Sequence, residues 1–63
     1  MIMTDRDLRR ILRLRLSLRP RDRLVFRRDG SIDCVRYLPR GVSVVTIGWA
    51  HILKQQHQEE LTL

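Results

Sequence analysis

Twelve arginines, all between Arg6 and Arg40, are the side chains of this chain best equipped for chemistry on a partner. A planar guanidinium binds phosphate or carboxylate through two parallel hydrogen bonds and stacks on bases, which an ammonium cannot do. Residues 1–40 set these twelve arginines against five aspartates, a net of +7, whereas residues 41–63 carry Lys54 against Glu59 and Glu60, a net of −1. A split of that size points to a polyanionic or acidic partner for the first half and to packing for the second. Confinement to one half is what separates this pattern from a compositional bias toward arginine, because the arginines form no single run.

The groups that could carry a reaction do not assemble. Ser17, Ser31 and Ser43 stand in no nucleophile motif, and His51 and His57 are six residues apart, off one helical face by about 120°. Cys34, His51 and His57 make no structural zinc set, and no glycine-rich phosphate loop or internal repeat is present. Asp5 and Asp7 are accounted for by a helix start and Asp29 by a turn. A 63-residue chain can scarcely enclose a catalytic pocket, so we expect no enzyme, no cofactor, no metal and no small-molecule substrate.

Stepping from the arginines to the elements that must hold them, Thr4 reads as a helix N-cap, with Asp5 and Asp7 beside the positive end of the dipole. Leu8, Ile11, Leu12 and Leu16 follow at helical spacing, and Leu14 and Leu18 widen the apolar arc to about 200°. The spacing predicts a helix over 5–18, stopped by Arg19-Pro20. Residues 12–18 also alternate leucine with polar residues, so a strand remains an alternative there.

From Arg23 the residue types change to Leu24-Val25-Phe26, and Asp29-Gly30 divides two strand-like runs, the signature of a hairpin over 22–38. With Asp29-Gly30 as a two-residue loop, Phe26 faces Asp33 and Leu24 faces Val35. That register gives one core face of Leu24, Phe26, Val35 and Tyr37, and an opposite face carrying Arg21, Arg23, Arg27 and Arg36 around Val25, Ile32, Cys34 and Leu38. Residues 42–47 are dense in β-branched types and read as a third strand, with a helix from Ser43 as the alternative. After Gly48, a helix over 49–60 is expected to dock through Trp49, Ile52, Leu53 and Gln56, with its Gln-rich end fraying and Leu61 to Leu63 disordered or covering a partner.

The expected fold is therefore α+β and a single domain: an N-terminal helix, a three-stranded antiparallel sheet built on a hairpin, and a C-terminal helix. With little core and a single cysteine, self-association is the expected source of further stability, through the leucine-rich helix or the third strand of a homodimer. No stretch approaches the roughly 20 apolar residues of a membrane span, and the first five residues lack the form of a secretory signal, so the expected compartment is the cytoplasm, a host's if the chain is phage-encoded.

The order helix, hairpin with an Arg28-Asp29-Gly30 turn, helix resembles that of small phage head-tail joining proteins, from which residues 42–47 and the dense arginine content depart. Val35-Arg36, Pro39 and Val42-Ser43-Val44 are distantly similar to carbon-storage-regulator RNA-binding proteins, which begin with strands where this chain begins with a capped helix. Each likeness covers under half of the chain, and no functional residue is carried across from either.

The function expected from the sequence is nucleic-acid-binding regulation, with Arg21, Arg23, Arg27 and Arg36 on phosphates and Arg9, Arg10 and Arg13 as a second patch on the first helix. The alternative is a phage-type or mobile-element modulator that inhibits a host factor by covering an acidic or nucleic-acid-binding surface, with Leu14, Leu18 and Trp49 as its protein interface. A virion component and a cationic amphipathic membrane binder are further classes, the second disfavoured.

Overall fold

The computed structural model describes residues 2–62, and the side chains of residues 2–59. Helix α1 spans Asp5–Arg15, strand β1 Arg23–Phe26, β2 Ser31–Leu38, β3 Gly41–Trp49, and helix α2 Ala50–Thr62. The strands form one antiparallel sheet in the order β1-β2-β3, so the architecture is α+β with a helix at each end, as the sequence pattern indicates. Residues 42–47 belong to a strand, which settles that alternative. Whether Leu61 to Leu63 cover a partner concerns side chains outside the described residues.

Helix α1 begins in a capping box. The Thr4 hydroxyl accepts from the Asp7 amide at 3.1 Å, and the Asp7 carboxylate accepts from the Thr4 amide at 3.3 Å. The helix stops at Arg15 rather than at residue 18, because Ser17 turns left-handed at φ 50°. The Leu18 amide then donates to the Arg13 carbonyl at 3.1 Å and the Ser17 amide to the Leu14 carbonyl at 3.3 Å, the paired bonds of a Schellman motif. Leu16 to Leu18 are neither helix nor strand.

The hairpin between β1 and β2 corrects the expected register. The Gly30 amide donates to the Arg27 carbonyl at 3.1 Å and the Arg27 amide to the Ser31 carbonyl at 2.9 Å, while Gly30 lies at φ 93°. This is a turn through Arg28 and Asp29 followed by a left-handed glycine bulge, not a two-residue loop. Phe26 consequently pairs with Ile32, Leu24 with Cys34 and Arg23 with Val35, one position away from the pairing drawn from Asp29-Gly30 alone. A one-residue slip moves every side chain of a strand to the other face relative to its partner.

The core lies on one side of the sheet only. Leu8 and Leu12 of α1 pack with Met3, Leu24 and Ile32, and both Leu8 and Ile32 are fully buried. Ile11, Leu18, Phe26, Cys34, Ile47, Ala50 and Leu53 close around them. Val35 and Tyr37, expected in the core, lie on the opposite side with Arg23, while Ile32 and Cys34, expected beside the arginines, face α1. The radius of gyration, 12.5 Å, exceeds the ~10.6 Å of a compact chain of this length, in keeping with a sheet covered on one face.

Between β2 and β3 the pairing shifts at Ile32/Asp33, where Gly48 faces Ile32 but Thr46 faces Asp33, leaving Ile47 as a bulge. Trp49 pairs with Ser31 on the uncovered side and stays 45% exposed. The inward positions of α2 are Ala50, Leu53 and the buried His57, a stripe rotated from the expected Trp49, Ile52 and Gln56, and Lys54 pairs with Asp5 to tie the two helices together. No helix among the described residues is long and apolar enough to cross a membrane.

Candidate nucleic-acid interface

The arginines do not lie on one face. Arg36 shares the α1 side of the sheet with Cys34, and its Nε and Nη2 both donate to the buried Asp22 carboxylate, at 3.2 and 2.9 Å. Arg27 lies at the hairpin loop, where its Nε donates to the buried Asp33 carboxylate, which also accepts from the Thr46 hydroxyl at 2.8 Å. Arg13 reaches from α1 across the linker, donating to the carbonyls of Asp22 at 2.9 Å and Arg19 at 3.0 Å. Arg9 lies over the Phe26 ring, 5.0 Å from its centroid, a cation–π contact at the edge of β1. Four of the seven arginines expected to meet a partner are thus engaged within the fold.

Electrostatics follow this geometry. The Arg36 guanidinium, with help from the Arg19 amide, holds the Asp22 carboxyl below the usual aspartate range, and Asp22 in turn raises Arg36. The Ser31 hydroxyl and amide do the same for Asp29 in the hairpin loop, donating to its carboxylate at 2.7 and 2.9 Å. These bonds to carboxylates fix the linker and the loop, and the Arg36 guanidinium is committed to the first of them.

Arg21 and Arg23 remain. Neither has a carboxylate partner among the described residues, and both are exposed. With Pro20 and Tyr37 they line one shallow concavity on the uncovered side of the sheet. Tyr37 is 53% exposed, two positions along β2 from the Val35 that pairs with Arg23. Arg40, also exposed and without a carboxylate partner among the described residues, stands in the Pro39-Arg40 turn that directly follows this end of β2. Linker, first strand and central strand therefore bring a phenol ring and two guanidinium groups to one concavity.

Sequence reasoning placed Tyr37 in the core and so missed it as a binding residue. The signal available was Arg27 to Ser31, whose bulged loop sets the register, together with Asp22 and Asp33, two carboxylates placed to occupy Arg36 and Arg27. Arg10 is exposed on α1 near Asp7, away from this concavity. Of the expected protein-interface residues, Leu14 is 77% exposed, Leu18 packs against the core, and Trp49 stands at the other end of the uncovered face, against Gly30.

Among the described residues no three of His, Cys, Asp and Glu gather in a way that could hold a metal ion. Comparison with protein families, with characterised proteins and with solved structures finds no match to this chain.

Proposed function

We propose that this protein is a small nucleic-acid-binding regulator, without a catalytic step of its own, and that it grips a single strand at the corner formed by Arg21, Arg23, Tyr37 and Arg40. The carrying observation is the concavity in which two arginines, without carboxylate partners among the described residues, accompany a half-exposed tyrosine ring. Single strands are held by a positively charged groove along the phosphates and aromatic faces on which bases stack. The corner offers both on a rigid sheet, whereas Arg13, Arg27 and Arg36 are engaged by the fold and lie outside this reading.

The test is anisotropy of a labelled random single strand and a random duplex, titrated at about 50 and 200 mM salt. Arg21→Ala with Arg23→Ala should weaken single-strand binding at least tenfold and flatten its salt dependence, the loss expected for two phosphate contacts. Tyr37→Ala should cost the single strand about 1–3 kcal/mol, the worth of one stacked base, and the duplex far less. Binding that survives all three replacements unchanged would sink the proposal.

The runner-up is a modulator that inhibits a host protein, and Leu14 favours it, because a leucine left 77% exposed on α1 suits a protein anchor better than a nucleic-acid contact. Weak nucleic-acid binding at both salts, with a target protein lost on Leu14→Glu, would move the function to that class. In either case the acting species on this reading is a homodimer.

A further inference from the structure

We infer that two copies of this chain join through the outer edge of β3, pairing residues 42–46 antiparallel about a two-fold axis at Val44 to make one continuous six-stranded sheet. This names the surface for the self-association proposed above. On one side β3 is hydrogen-bonded to β2, and on the other no strand among the described residues meets it. Its amide and carbonyl groups on that outer side are a template for another strand.

Three observations select a second copy as the occupant. First, Gly41–Trp49 contains no charged residue, in a chain of net charge +6. Two copies approaching through α1, the linker or the hairpin bring arginines together, whereas at this edge they do not, and an acidic partner would be drawn to the arginines instead. Second, edge strands that must stay single carry lysines, prolines or inward charges, and β3 has none. Its single bulge, at Ile47, ends the regular stretch and confines pairing to the residues before it. Third, Val42 and Val44 on the uncovered face and Val45 on the α1 side are each more than half exposed, so β3 lacks apolar neighbours on both faces on its outer side. A strand flanked by its own copy supplies them on both faces at once, since an isologous contact sets the same residues against each other.

The pairing has a defined geometry. A two-fold axis perpendicular to the sheet keeps both α1 helices on one side and both uncovered faces on the other. The order becomes β1-β2-β3-β3-β2-β1, and at ~4.8 Å per strand the two outer β1 strands lie about 24 Å apart. Val35, Tyr37, Val42 and Val44 then form one doubled surface with Arg21 and Arg23 at each outer margin.

Sedimentation equilibrium of the full chain without nucleic acid tests this, so the result is independent of whether the arginine corner binds a strand. At about 100 µM, well above the micromolar Kd of a modest specific pair, the wild type should sediment at twice 7.6 kDa. Val44→Lys and Val45→Lys, at exposed positions and with circular dichroism retained, should sediment at the monomer mass, and Leu14→Glu should remain dimeric. A monomeric wild type, or a dimer lost on Leu14→Glu but kept in both lysine variants, overturns the inference. Cysteine cross-linking covers the case of misfolded lysine variants. In a Cys34→Ser background, Val44→Cys, which the axis sets against its own copy, should form an intermolecular disulfide on mild oxidation and Leu14→Cys should not, and the reverse pattern overturns the inference.

Discussion

Asp22 and Arg36 are fourteen residues apart in sequence, and the carboxylate of the first, 3% exposed, is held by two nitrogens of the second. The same aspartate accepts from the Arg19 amide at 2.9 Å, and its carbonyl accepts from Arg13. Helix α1, the linker and the middle of β2 therefore meet at one aspartate, the helix on its carbonyl and the other two on its carboxylate. The Pro20 and Arg21 backbone is fixed by this junction, and with it the direction from which Arg21 approaches Tyr37.

Acid should loosen the fold through its aspartates. Asp22 is held below the usual aspartate range by Arg36 and the Arg19 amide, Asp29 by the Ser31 hydroxyl and amide, and Asp7 by the Thr4 amide and hydroxyl. A folded-state pKa below the unfolded ~3.9 contributes stability that is complete above that value and is lost as pH falls through the folded one. The melting temperature should be level from pH 7 to about 5 and decline below about 4. Asp22→Asn should lower the plateau and shrink the decline. Equal melting temperatures at pH 3 and pH 7 would contradict the assignment.

Ser17 occupies the left-handed position that closes α1, a conformation that disfavours any side chain with a Cβ. Ser17→Gly should stabilise the protein by about 0.5–1 kcal/mol in denaturant titration, and Ser17→Val should destabilise it. Equal stability of the serine and glycine forms would mean that the Schellman bonds contribute too little in solution to set the helix end.

Leu8 and Leu14, six residues apart on α1, should behave oppositely. Leu8→Ala removes a fully buried side chain and should cost about 2–5 kcal/mol, enough to unfold much of a small domain. Leu14→Ala, at a position 77% exposed, should fall within about 0.5 kcal/mol of wild type. Urea denaturation of the two variants reads the difference directly.

What was legible in the sequence and what was not divides along physical lines. The capping residues Thr4 and Asp7, the β-branched run from Val42 and the turn glycine are local signals, and each produced its element. The end of α1 was not legible, because serine rather than glycine takes the left-handed position. The candidate site suffered most from a single ambiguity: Asp29-Gly30 fits both a two-residue loop and the last residues of a bulged one. The longer loop exchanged the faces, moving Tyr37 out beside Arg23 and carrying Arg36 in beside Asp22. The contacts of Asp22 and Asp33 with arginines 14 and 6 residues away depend on that register, so they could not be read before it was known.

Ile47 makes the fold a counting device. Because Ile47 and Gly48 count together against one residue of β2, Trp49 stays opposite Ser31 and lies over Gly30; were Ile47 paired regularly with Ile32, the far end of β3 would turn over and Trp49 would enter α2 from the side occupied by α1. Deleting Ile47 would therefore straighten the strand and leave the indole where it is, whereas losing the bulge with Ile47 retained would invert the far end of the strand. Substitutions along this stretch can be graded in effect, but a change in how its residues are counted against β2 switches which side the indole occupies.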